Sequence, residues 1–261
     1  MEPVITFSKE EITEKQWNKT HLKIATHLFE INGYLKLEDL FPKELIEKLQ
    51  RDTLQSLQFA EEEGVLKNGT QVSHRRYITP LKLQGSFNTP DLYAHPLLME
   101  LFHELLGKQF IIGSMGTVTA LPGSLDQHIH ADYYPLFGER PDLNRISPPF
   151  ALTVGVPLVD IDHLNGPTKI WPGSHLTYPI DTKMYGYPLK LLSGKMGSCY
   201  FWDYRTFHAG GSNHSDSPRP LLYFAYTRPW FKDSLNPDRM LIDAEEREKI
   251  PGEHKALFAI R

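Results

Sequence analysis

At 261 residues, with 40% hydrophobic and 23% charged side chains, the chain has the make-up of a soluble globular protein with a core of its own, and neither a disordered nor a membrane-embedded composition. A net charge of -4 with no basic stripe to offset it speaks against a nucleic-acid partner. The one cysteine, Cys199, forbids an internal disulfide, and residues 1–8 lack the charged-then-apolar pattern of a signal peptide, so a cytoplasmic setting without a membrane span is the expectation.

The first third reads as helical. Ser8 and Glu11 have capping-box spacing and open an amphipathic stretch that runs through Trp17. Leu22, Ala25, Leu28 and Phe29 recur at helical spacing until Asn32-Gly33 stops them. Pro42 precedes a helix with Leu45, Ile46, Leu49, Thr53 and Leu57 on one face. Another opens at Pro96, carries Leu97, Leu98, Leu101, Phe102, Leu105 and Leu106, and ends at Gly107, the proline-first and glycine-last order that helices favour. Apolar stripes of this kind are core.

Beyond residue 108 the pattern changes to short β-rich runs separated by Gly, Pro and Asn, as in a sandwich or barrel. Residues 110–121, 150–158, 198–202 and 221–227 are the clearest strands. Two longer connections, 135–149 and 178–195, have the length of lids or binding segments.

The chemistry lies in His130-Ala131-Asp132, His208 and Arg219. In an extended segment residues i and i+2 share a face, so His130 and Asp132 reach one ion while Ala131 points away. His208 follows a strand and the turn through Asp203 and Arg205, and is the best third ligand. Two imidazoles and one carboxylate leave positions of an octahedron open, the requirement of an oxygen-activating Fe(II) centre, and a guanidinium fork suits a carboxylate cosubstrate. His175 is a rival ligand whose turn reads as structural, and His214 is a fallback on a polar turn. His128 shares a face with His130.

Together Leu121-Pro122-Gly123, Gln127-His128-Ile129-His130-Ala131-Asp132, Asn165-Gly166-Pro167-Thr168, Trp171-Pro172-Gly173-Ser174-His175, His208-Ala209-Gly210 and Arg219 resemble the phytanoyl-CoA dioxygenase family over roughly residues 25–230. The resemblance implies a mainly β fold with flanking α-helices, a cupin-like double-stranded β-helix or jelly roll with iron between its sheets. It implies one domain over 1–261, divided into a mostly helical part (1–107), a jelly-roll core (108–230) and a C-terminal extension (231–261). His130, Asp132 and His208 would hold Fe(II) and serve catalysis, Arg219 would pair with the distal carboxylate of 2-oxoglutarate, Gln127 and Thr168 would hydrogen-bond that cosubstrate, and Tyr134 would flank it.

The implied reaction consumes O2 and 2-oxoglutarate, hydroxylates a small organic molecule and releases succinate and CO2. Retention of Asp132, where related halogenases carry Gly or Ala, favours oxygenation over halogenation. Substrate contacts are expected from residues 73–77, the two long connections and Arg205; an Arg75, Arg76 or Arg205 lining the cavity would call for an anionic substrate, a solvated one would not. Two other readings share the triad or the fold: a cupin-like zinc or manganese enzyme without 2-oxoglutarate, and a silent jelly-roll binding module. Oligomeric state is not written in the sequence.

Overall fold

The computed structural model describes residues 2–59, 65–138, 140–177, 188–235 and 240–258. The chain opens with β1 (Val4–Thr6) and α1 (Lys9–Glu14), whose N-terminus is closed by the expected reciprocal capping box of Ser8 and Glu11. The Glu11 side chain is buried and accepts in addition from Asn18 N and His21 Nδ1, so the helix stops at Glu14 and the chain turns before Trp17. Next come α2 (Lys19–Asn32), ended by Gly33 at φ 73°, then β2 (Tyr34–Glu38), α3 (Lys43–Ser56), β3 (Thr70–Ser73) and β4 (Arg76–Lys82). The short α4 (Pro90–Tyr93) leads into α5 (Pro96–Leu106) and the long β5 (Ile111–Ala120).

After it follow α6 (Pro141–Ile146), β6 (Ala151–Pro157), β7 (Thr168–Ile170), β8 (Lys190–Leu192), β9 (Cys199–Asp203), β10 (His208–Gly210) and β11 (Arg219–Thr227). β12 (Met240–Leu241) and α7 (Ala244–Lys249) close the chain. Nine strands form one sheet in the order β1-β2-β9-β6-β11-β5-β4-β12, with β3 against β4; β10-β7-β8 form the other. This is the jelly roll.

Alternation along the strands sends one set of side chains to each face of the large sheet. On β11, Leu222, Phe224 and Tyr226 join Cys199 and Phe201 of β9, Phe29 of α2 and Leu98, Leu101 and Phe102 of α5 in the main apolar core, so the helices cover the outer face. The alternate residues, Leu221 with Tyr200 and Trp202, pack instead with Ile170 and Leu192 of the small sheet. Arg219 has the parity of Leu221 and therefore faces the space between the sheets.

Two expected boundaries are corrected. The segment 1–107 is helical but also supplies β1 to β4, with Tyr34 in register with Trp202 and Arg76 with Ala120, so the large sheet is not confined to 108–230. Nor is 231–261 an appendage, since β12 pairs with β4 and Phe258 is fully buried against Tyr93. Connection 135–149 contains α6, while residues 178–187 of the second lie outside the described residues. No helix among the described residues is long and apolar enough to cross a membrane.

Candidate active site

His130, Asp132 and His208 each offer a ligand atom within 4.8 Å of the others. Their segments meet at the open edge of the small sheet, where His130 and His208 exchange both backbone hydrogen bonds (His130 N to His208 O 3.0 Å, His208 N to His130 O 2.8 Å). This single bridge, and not the full strand that the spacing suggests, carries the pair; Asp132 sits in the bend just after it.

Both imidazoles are fixed in one tautomer. His130 Nδ1 lies 2.9 Å from the His128 carbonyl and His208 Nδ1 3.0 Å from that of Thr206; carbonyls only accept, so each Nδ1 carries the proton and each Nε2 keeps its lone pair. Burial, reinforced by His208 and opposed by Asp132, holds the His130 imidazole below its ordinary pKa, which keeps it neutral at physiological pH. Asp132 Oδ2 accepts from Thr153 Oγ1 (2.6 Å) and Trp202 Nε1 (3.0 Å), which turns Oδ1 toward His208 Nε2 at 3.6 Å. Sequence reasoning missed these two donors, since each is one more core residue of β6 or β9. Thr153→Val removes one at little change of volume, and about tenfold weaker binding of a divalent metal is expected by calorimetry, the low end of the cost of losing such a partner.

Behind the triad lies a cavity of about 110 Å³ that Gln127, Thr168, Arg76 and Arg219 also line. Arg76 of β4 and Arg219 of β11 both stand in register with Ala120 of β5, so they project from one face of the sheet on either side of the central strand. Arg219 thus stands on the opposite sheet from His208.

Arg76 and Arg219 are 0% and 1% exposed, and Arg76 Nε and Nη1 and Arg219 Nε have no hydrogen-bond partner among the described residues. Burial pushes Arg219 down to about 9, with Arg76 adding to the shift, and pushes Arg76 down to about 10. Buried cations with orphaned donors are stable only when an anion completes them. Arg76 Nη2 is bonded to Gly211 O at 2.5 Å, and Gln127 Oε1 accepts from Gly210 N at 2.9 Å. A Cβ at Gly210 would meet Arg76 Nη1 at 2.5 Å and Gln127 Oε1 at 2.6 Å, which is why the third ligand is followed by small residues.

The remaining candidates lie elsewhere. Tyr134 is 68% exposed and lines, together with His128, an outer cleft that adjoins the inner cavity along Ile78, Gln127, His130 and Asp132; Tyr134 does not line the inner cavity itself. His175 is buried, with Nε2 on the Glu30 carbonyl (3.0 Å) and its ring against Gly33, so the Pro-Gly-Ser-His turn locks the end of α2. His214 pairs with Ser212 Oγ on an exposed turn, away from the triad. Arg75 donates to Pro122 O, and Arg205 is buried in an ion pair with Asp203.

The comparisons fit this geometry. A family model described as phytanoyl-CoA dioxygenase matches residues 29–221. The ectoine dioxygenase of Bordetella bronchiseptica is 24% identical over 246 residues, covering 81% of this chain and 76% of its own. Among solved structures, the non-heme alpha ketoglutarate dependent epimerase SnoN from nogalamycin biosynthesis superposes with TM-score 0.60 at 21% identity (81% of this chain, 84% of its own). EctD from S. alaskensis with 2-oxoglutarate and 5-hydroxyectoine superposes at 0.62 and 19% (87% and 90%). At such identities the two structures speak for the jelly-roll fold.

Proposed function

The chain belongs to the phytanoyl-CoA dioxygenase family, and from that premise we propose that it is an Fe(II)- and 2-oxoglutarate-dependent oxygenase that hydroxylates a small organic molecule. The observation that carries this reading is the coexistence, around one cavity, of a two-histidine, one-carboxylate cluster and two buried arginines with orphaned donors. The donor set suits Fe(II), and the arginines suit the far carboxylate of a dicarboxylic oxoacid. Bound there, iron and 2-oxoglutarate would supply the oxidising power, with one oxygen atom of O2 going to the substrate, the other to succinate, and CO2 lost.

The protein does the rest. The carbonyls of His128 and Thr206 hold the imidazoles in the binding tautomer, and Thr153 and Trp202 hold the carboxylate. Arg219 from the large sheet, with Thr168 of the small sheet and Gln127 beside Gly210 across the cavity from it, would orient the cosubstrate, while the outer cleft past Ala131 and Phe207 would receive the substrate. A cytoplasmic setting belongs to the same reading, consistent with the single cysteine of the sequence.

Under exclusion of oxygen, Fe(II) and 2-oxoglutarate together are expected to give a weak visible charge-transfer band that neither gives alone, and air is expected to yield succinate. Neither a zinc enzyme nor a silent binding module has that band. Its absence, with no succinate formed, would sink the proposal.

A further inference from the structure

The outer cleft, about 750 Å³, is of a size that holds a drug-sized ligand. Among its described lining residues Arg205 is the one Lys or Arg, and Asp132, a member of the metal cluster, the one Asp or Glu. Everything therefore turns on whether Arg205 has charge to offer, and it has none to spare.

Its Nε and Nη2 lie 2.8 and 2.6 Å from the two oxygens of Asp203, and Nη1 is shared among Asn144 O (2.8 Å), Ser147 O (3.1 Å) and Ser147 Oγ (2.8 Å). Burial opposes the charge of Asp203, but Arg205 overrides it and keeps the carboxyl below the usual carboxylate range, so the pair is ionised and internally neutral. An anionic substrate would have to break a buried ion pair to recruit this guanidinium, at a cost that one new contact does not return.

Two of the neutral polar groups are turned inward as well. Asn144 spends its amide on Phe137 N (3.1 Å) and Gly138 O (3.2 Å), and Thr177 Oγ1 donates to Ser174 O (3.0 Å). Val72, Ile78, Tyr134, Phe207 and Leu235 supply an apolar lining, with the uncharged side chains of Gln127 and Tyr133 and the imidazole of His128 beside them. The connection that supplies Pro135 and Asn144 adds Leu136, Phe137 and Ile146, all exposed.

We propose that the primary substrate is an uncharged, largely apolar molecule of several rings, seated against Tyr134 and Phe207, and not a free carboxylate, a phosphate or a coenzyme A thioester. The inference rests on the oxygenase reading, because it takes the inner cavity to be filled by the cosubstrate.

The test separates the two. Binding of 2-oxoglutarate to the Fe(II) protein under exclusion of oxygen is measured first, by the visible band, and reports on the oxygenase reading alone. That complex is then titrated calorimetrically with naphthalene-2-carboxamide, with 2-naphthoate, which has the same shape and one negative charge, and with 2-naphthoyl-coenzyme A. The carboxamide is expected to bind at least about tenfold more tightly than either anion, since an unpaired charge loses its hydration in such a cleft. Tyr134→Lys, at an exposed position that tolerates the change, is expected to narrow the gap by strengthening naphthoate binding. Equal or tighter binding of either anion, failure of the carboxamide to bind, or an unchanged ratio in the Tyr134→Lys protein would each overturn the proposal.

Discussion

Asp132→Ala is expected to abolish Fe(II) binding and with it the formation of succinate. The carboxylate is the one acidic side chain among the described residues that line the inner cavity, so no neighbour can replace it. Losing a partner that merely orients a ligand costs about 10- to 100-fold in metal affinity, and losing the ligand itself exceeds the upper end of that range. Equilibrium dialysis with metal analysis reads the affinity directly. The metal-free variant should also melt at a lower temperature, because Thr153 Oγ1 and Trp202 Nε1 lose their shared acceptor, and buried donors left without one cost about 1–3 kcal/mol each. His208→Ala should weaken metal binding as severely while leaving the Thr153 and Trp202 donors their shared acceptor. A variant at Asp132 that still bound Fe(II) normally would remove the carboxylate from the ligand set and move attention to another cluster.

How much of this was legible in the sequence depended on the length of each element. α2 and α5 announce themselves through apolar residues at helical spacing, Asn32-Gly33 and Gly107, and β5, β6, β9 and β11 are long and apolar enough to read as strands. The triad could be named because His130 and Asp132 are local, and because the resemblance carried His208 across the intervening chain. β7, β8 and β10 have three residues each, too few to show any period, and all three residues of β10 are buried, which erases alternation. β4 opens with a fully buried arginine and contains Pro80, a pattern that reads as a loop.

The anion site shows the same limit at the level of side chains. That Arg76 and Arg219 meet is a consequence of sheet register, with Ala120 between them, and register between strands so far apart in sequence is written in neither segment. Arg205 is the opposite case. Asp203-Tyr204-Arg205 places acid and base at i and i+2, so the ion pair that removes Arg205 from substrate binding was available from the spacing alone, had burial been known.

The second large effect is expected at Arg219, where function and stability should move in opposite directions. In Arg219→Met the fork that would receive the far carboxylate of 2-oxoglutarate is lost, and two charge-assisted hydrogen bonds at about 1.5–3 kcal/mol each correspond to a rise in the cosubstrate's KM of about 100-fold or more. The partners that orient the triad, the His128 and Thr206 carbonyls and the Thr153 and Trp202 donors, are untouched, so Fe(II) affinity should change little.

Without cosubstrate, however, wild-type Arg219 is a buried cation beside a second cation, pushed by burial down to about 9, well below the usual guanidinium range. A base whose folded pKa is depressed disfavours the folded state throughout the range below that folded value, and the penalty lifts only as the pH climbs from about 9 toward the usual guanidinium range. At neutral pH the penalty is in full force, so replacing the cation by an apolar side chain of similar length should raise the melting temperature of the cosubstrate-free protein. Addition of 2-oxoglutarate should reverse the order: the wild type gains about 2.7 kcal/mol at a hundredfold excess over Kd, and the variant gains almost nothing. A variant that kept its response to 2-oxoglutarate would show that the anion is held elsewhere, with Arg76 the first residue to examine.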